Sequence, residues 1–238
     1  MNGYSAITME TSDPIRERAS ESRARAARTK RDRTRAALLG AADPAFAARG
    51  WARTRVEDIA SAAGVSNATA YNHFPSKHAL IGHVFAPLVQ TLRTQAYRDI
   101  ATGRPVVPAL IDHLRALVRV AWRNRGLTAA LSAGIADYSI KVGRPPDPHD
   151  ENDPRVLAPI GDVAIELIAR GQRTGELRAW PSAVEIGPVI VDLLLIRAVG
   201  RPHDPPEVTA ELMLTLLFGA LRPELLTEAG PQARPFRY

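Results

Sequence analysis

The chain has 238 residues, 31 Lys and Arg against 25 Asp and Glu, six His and no Cys, for a formal charge of +6. Without Cys, disulfide scaffolds, thiol catalysis and Cys-based metal sites are excluded. The scattered His73, His78, His83, His113, His149 and His203 contain no i, i+4 pair around a carboxylate, so neither a metal nor a cofactor is expected.

From Met1 to Arg35 no apolar run occurs, so no signal peptide is expected and the chain is expected to be cytoplasmic. Residues 1–31 read as a basic, largely disordered arm, rich in Ser, Glu, Pro and Arg toward its start. Arg23, Arg25, Arg28, Lys30, Arg31, Arg33 and Arg35 face a single acid, Asp32, so this block carries the net charge of the whole chain and the remainder sums to zero. Such a block against a neutral body suits an arm that reaches a phosphate backbone or a narrow minor groove. Ala24, Ala26 and Ala27 are good helix formers, so residues 21–35 could instead extend the first helix. Within that first helix, Pro44 removes a backbone bond and is expected to bend it.

Between Thr54 and Lys77 the pattern changes to two short helices hinged at a glycine. Thr54 with Glu57 has the spacing of a capping box. Val56, Ile59, Ala60 and Ala63 recur at three and four, which lines one face of a helix from Arg55 to about Ala63. Gly64 closes it in the left-handed conformation, with Val65 packing back under the turn. Ser66 caps the second helix, which runs from Asn67 to Phe74 before Pro75 ends it.

These residues, together with Leu38, Leu39, Ala41, Ala42, Phe46 and Gly50 upstream, and Thr69, Tyr71, His73-Phe74, Ser76-Lys77 and Leu80, resemble the N-terminal DNA-binding domain of TetR-family transcriptional repressors. The resemblance covers about residues 32–92, with the helix-turn-helix at 55–74. It implies an all-α fold: a three-helix DNA-binding domain followed by a larger helical domain, 93–225, for effector binding and dimerisation.

The DNA-contacting set comprises Thr54, Ser66, Asn67, Ala68, Thr69, Tyr71, Asn72, His73 and Lys77, joined by Arg31 and Arg33 from the basic block. Ser66, Thr69, Tyr71 and Lys77 suit phosphate contacts, because hydroxyls, an ammonium and helix-start amides bind phosphate oxygens. Asn67 and Asn72 stand where the family often has basic residues, which shifts the expected readout toward adenine. Phe74 reads as core, Tyr71 as a DNA contact or a core aromatic, and His73 as a packed ring or a backbone contact.

Downstream, apolar periodicity predicts helices at about 77–101, 105–125, 127–142, 155–173, 182–200 and 205–222. The Pro-rich stretch 143–154 is expected to be an exposed loop, and residues 226–238 a flexible tail. Helices 182–200 and 205–222 are apolar almost all round, so they need cover on several sides. A partner subunit would supply one side, and burial within a monomer is the alternative. The resemblance implies a homodimer through these two helices reading a palindromic operator in double-stranded DNA. Charges interrupt both segments, so no membrane span is expected.

By resemblance, a small-molecule effector would bind in the helical domain and act through the helix from Lys77 to about Ile100. Candidate pocket residues are His113, Leu117, Trp122, Leu131, Ile135, Tyr138, Glu166, Ile190 and Leu194. The function implied is a repressor released from its operator by a small molecule. A DNA-binding regulator without such an effector is an alternative, and so is an enzyme, although no nucleophile elbow or phosphate-binding glycine loop is present. High Ala, Arg and Pro usage fits a GC-rich bacterial genome.

Overall fold

In the computed structural model, which describes residues 14–222 and 224 with side chains from residue 21, ten helices and no strand are found among the described residues. Residues 1–13 of the expected arm and the expected tail at 226–238 lie outside the described residues. The helices are α1 (Pro14–Arg53), α2 (Val56–Ala62), α3 (Asn67–His73), α4 (Lys77–Ala101), α5 (Val106–Arg123), α6 (Arg125–Val142), α7 (Pro154–Leu157), α8 (Asp162–Thr174), α9 (Ala183–Gly200) and α10 (Pro206–Leu221).

The first helix reaches back to Pro14, so residues 21–31 continue α1 as an exposed helix, the alternative considered for a flexible arm. The expected bend at Pro44 is not where the backbone departs from helical geometry. It departs at Gly50, with φ 70° and ψ −178°, a conformation open to glycine because it carries no Cβ.

The core of the first three helices is built from Leu38, Ala42, Phe46, Val56, Ile59, Ala60, Ala70 and Phe74, all of them buried. Around this unit α4 acts as a bridge. Its buried Leu80, Ile81 and Phe85 belong to the same continuous core as Leu110, Leu114, Leu131, Leu167 and Ile168 of the later helices. The expected division near residue 92 therefore falls inside one unbroken helix. Close backbone approach fixes the junction of the two parts: a Cβ on Gly126 of α6 would lie 2.1 Å from the Ala47 carbonyl oxygen of α1.

Two expectations for the later helices need correction. The predicted helix 155–173 is split into α7 and α8, because Pro159 cannot continue the ladder and Gly161 follows it at the start of α8. The stretch 143–154 is non-helical up to Asp153, but its end is not exposed. Asp153 is 1% exposed, accepts from the Arg155 amide at 2.9 Å and pairs with the Arg155 guanidinium at 2.7 Å. No described helix is long and apolar enough to cross a membrane.

On α9 and α10 the apolar surface divides. Ile190, Leu194, Leu195, Met213, Leu217 and Phe218 are buried in the protomer, while Val184, Val189, Ile196, Val199, Val208 and Leu216 remain exposed.

Candidate nucleic-acid interface

The turn between α2 and α3 is closed by Gly64 at φ 68°, with the Val65 amide reaching back to the Ala60 carbonyl at 3.0 Å and the Gly64 amide to Ser61 at 3.1 Å. These bonds satisfy the last carbonyls of α2, and Val65 packs against the core. Ser66 then caps α3 by accepting from the Thr69 amide at 3.2 Å, and the two hydroxyls lie 2.8 Å apart.

This cap sets which face of α3 looks outward. Ala70 is 1% exposed and anchors the helix, and Phe74 after it is equally buried. Asn67, Ala68, Tyr71 and Asn72 are exposed and Thr69 is half-buried, so these five positions present amide, methyl, hydroxyl and phenol groups on the outward side of α3. Tyr71, 43% exposed, is not a core aromatic: its hydroxyl donates to Glu57 Oε1 at 3.1 Å and its ring stays at the surface. That bond helps hold the Glu57 carboxyl below its ordinary range, after the larger effect of its own backbone amide.

Thr54 is the clear correction. At 1% exposure it has no surface to offer DNA, and it is not the N-cap of α2, a position held by Arg55 without a side-chain bond. Its hydroxyl instead bonds the Ala45 carbonyl at 3.1 Å and the Gly50 carbonyl at 2.7 Å, tying the start of the helix-turn-helix to the stretch of α1 that breaks at Gly50.

Lys77 lies at the N-terminus of α4, but its ammonium turns inward. It donates to the Trp51 carbonyl and sits 4.2 Å from the centre of the Trp51 ring, and burial pulls its pKa below the usual lysine value. His73 is half-buried. Burial first, and then the nearby Arg31 and Arg35 charges, push its imidazole toward the neutral form. Arg31 and Arg33 are exposed on α1.

Sequence reasoning missed Arg35 as an individual. Its guanidinium donates to the His73 carbonyl at 3.3 Å and stacks 4.4 Å over the Phe74 ring, so it pins the C-terminal end of α3 to α1. Inside a run of seven cations nothing distinguished it.

The nine candidate pocket residues do not meet in one cavity. His113 lines a cleft of about 320 Å³ between α4 and α5, beside Gln95, Ala96, Ala109 and Ala116. Ile135 borders a second cleft of about 170 Å³ with Ile165, Val191 and Leu195. Leu117, Leu131, Ile190 and Leu194 are core residues, each at most 2% exposed. Trp122 is spent on a hydrogen bond to the Asp204 carbonyl at 2.7 Å, and Tyr138 donates to Asp150. Glu166 is solvated and faces Arg173 at 3.3 Å. Of the nine, His113 carries the sharpest chemical signal: it is 7% exposed, its Nε2 has no hydrogen-bond partner, and burial holds its pKa down at about 4.

Comparison with known proteins agrees with this geometry. A family model for bacterial regulatory proteins of the tetR family matches residues 38–84, from the middle of α1 into α4. The HTH-type transcriptional repressor Rv3405c of Mycobacterium tuberculosis is 35% identical over 94 residues, 35% of this chain and 50% of that protein. The HTH-type transcriptional repressor KstR2 of Rhodococcus jostii is 34% identical over 80 residues, 32% of this chain and 39% of that protein. The chain thus spans half the length, or less, of these curated relatives. Among solved structures, FadR of Thermus thermophilus, a TetR-family transcriptional repressor in complex with lauroyl-CoA, superposes with a TM-score of 0.61 at 28% identity, covering 77% of this chain and 93% of that one.

Proposed function

From the premise that this chain belongs to the tetR family of bacterial regulatory proteins, we propose that it is a homodimeric repressor that reads a palindromic operator with α3 and is released by a small molecule. The observation that carries this reading is the outward side of α3. Asn67, Ala68, Tyr71 and Asn72 are exposed, while Ala70 and Phe74 on the opposite side lock the helix to the core. A helix held this way can enter the major groove, where an Asn side chain pairs bidentately with adenine N6 and N7.

Dimerisation is supported by the apolar ridge that α9 and α10 leave uncovered, with Val189 at 59% exposed, Ile196 at 68% and Leu216 at 52%. Single exposed apolar residues need no explanation, but six on two helices that pack together support an interface there. A two-fold axis there would place two copies of α3 to read two half-sites.

Release by a small molecule is supported by the α4–α5 cleft and its unpartnered His113, since α4 also carries the contacts to Trp51 that reach the DNA-reading part. The lauroyl-CoA bound by the Thermus protein shows that a repressor of this fold and family holds a ligand. A ligand moves the equilibrium only by the difference in its affinity for the two conformations.

Selection of binding sites from random duplex DNA tests the reading. The expected result is a palindromic motif for the natural chain and, for Asn67→Ala, a motif relaxed at one position in each half. No enriched motif would overturn it.

A further inference from the structure

We propose that residues 21–35 of α1 form a second DNA-binding surface, a preformed basic helix that grips duplex phosphates beyond those reached by α2 and α3. This rests on the DNA-reading assignment above and adds to it a separate site with its own chemistry.

The direction of α1 supports the inference. Its C-terminal end meets the helical domain, where the Ala47 carbonyl abuts Gly126 and the Trp51 ring abuts Gly134 of α6. Its middle, with Leu38, Ala42 and Phe46, is buried among the first three helices. Arg35 then touches His73 and Phe74 at the end of α3. Beyond Arg35 the helix continues away from the helical domain, and every residue from 21 to 33 is exposed. At about 1.5 Å per residue, Glu21 stands about 21 Å past Arg35. The extension leaves the body where the recognition helix ends.

Composition supplies the second argument. Residues 21–33 hold six cations, Arg23, Arg25, Arg28, Lys30, Arg31 and Arg33, against Glu21 and Asp32. Arg28 and Arg31 continue toward the N-terminus the stripe on which Arg35 touches α3, by helical spacing. Arg25, Lys30 and Arg33 border a shallow furrow floored by Ser22, Ala26 and Thr29, whose small side chains let a sugar-phosphate strand approach closely.

Like charges three apart, as in Arg25–Arg28, Arg28–Arg31 and Lys30–Arg33, destabilise a helix, and all five of these side chains are exposed. A surface that repels itself in the free protein is one that a polyanion relieves. Duplex DNA presents a negative charge about every 1.7 Å along its axis, so several of these side chains meet phosphates together. Because phosphates carry no base identity, the surface adds affinity and salt dependence without altering the motif.

The test is the combined variant Arg25→Gln, Arg28→Gln, Lys30→Gln and Arg33→Gln, which keeps side-chain length and helix propensity. Its probe is a duplex bearing the motif selected by the natural chain. The expected result is an unchanged motif, binding about tenfold or more weaker near 0.1 M salt, and a salt slope reduced by about 3 or more per dimer. Phosphate-ethylation sites that lie beyond those reached by α2 and α3 and that block the natural chain should become silent for the variant. Unchanged affinity, slope and ethylation pattern would overturn the proposal while leaving motif reading by α3 intact. If the natural chain itself enriches no motif, it is the DNA-reading assignment that fails. Asn67→Ala separates the two sites, because it should relax the motif and leave the ethylation pattern of the basic helix in place.

Discussion

His78 Nε2 lies 2.6 Å from Asp137 Oδ2, a hydrogen bond that fastens the first turn of α4 to the last turns of α6. The imidazole is also packed between two rings, 4.9 Å from Trp51 and 5.1 Å from Tyr138 between centres. One side chain therefore touches the end of α1, the helix that follows the helix-turn-helix, and the helical domain. Lys141 donates to the same Asp137 oxygen at 2.8 Å, and these two bonds, Lys141 first, hold the Asp137 carboxyl below its ordinary range.

His78→Phe keeps the ring packing and removes the bond, whereas Asp137→Ala removes the acceptor. A double-mutant cycle by urea unfolding should return a coupling of about 1 kcal/mol at neutral pH. Since the carboxyl pKa is depressed in the folded state, that coupling is present above the usual carboxylate range and fades as pH falls through it. Strictly additive single effects would refute the tie.

Thr54→Val is nearly isosteric and deletes only the hydroxyl. With the Ala45 and Gly50 carbonyls losing this partner, stability should fall by about 1–3 kcal/mol. Operator affinity of the folded fraction should not change, because the side chain is buried. A specific loss of DNA binding at unchanged melting temperature would contradict the placement.

His113 gives the folded chain a pH signature. Burial lowers its pKa from 6.5 to about 4, so between those values the unfolded chain binds the proton that the folded chain refuses. Stability contributed by this group is complete above pH 6.5 and falls as pH drops toward 4, by on the order of 2 kcal/mol at pH 4.5. In His113→Leu the difference in unfolding free energy between pH 7 and pH 4.5 should shrink by about that amount. Identical pH profiles for the two chains would rule the assignment out.

Two glycine substitutions should part company. Gly126→Ala drives a methyl to within 2.1 Å of a backbone oxygen, so stability should drop by about 2 kcal/mol or more. Gly40→Ala, in the same α1 that Gly126 abuts, meets nothing within 4 Å and should be neutral or stabilising by up to about 1 kcal/mol. Thermal unfolding of both variants measures the contrast.

Ile196→Asp places a charge on the exposed ridge of α9 and touches no buried core position. Sedimentation should show the natural chain as a dimer and the variant as a folded monomer, with palindrome affinity reduced at least about a hundredfold, a loss within the range of a single interface hot spot. A dimeric variant would place the interface elsewhere.

The turn chemistry made the recognition helix legible in the sequence: Gly64 needs positive φ, Ser66 caps, and Pro75 stops, each for a local reason. Arg35 and Thr54 were illegible because their roles depend on partners brought close by the fold. Thr54 has capping-box spacing to Glu57, and only the break at Gly50 turns its hydroxyl toward the carbonyls of α1 instead. The pocket candidates were chosen as polar or aromatic residues on apolar faces, but a cleft arises where small residues face one another across helices. Ala96, Ala109 and Ala116 carry no such signal in a single chain.

The touch of Gly126 on Ala47 turns α1 into a lever. With no side chain between the two backbones, α1 and α6 are held close there, and any tilt of α1 against the helical domain would be read out at its far end. Residue 21 lies about 39 Å from this pivot along the helix axis, so a tilt of about 5° swings the far end through about 3 Å. Adjustments too small to disturb packing inside the helical domain thus arrive at the outer end of α1 as displacements as large as the gap between a bonded and an unbonded ion pair.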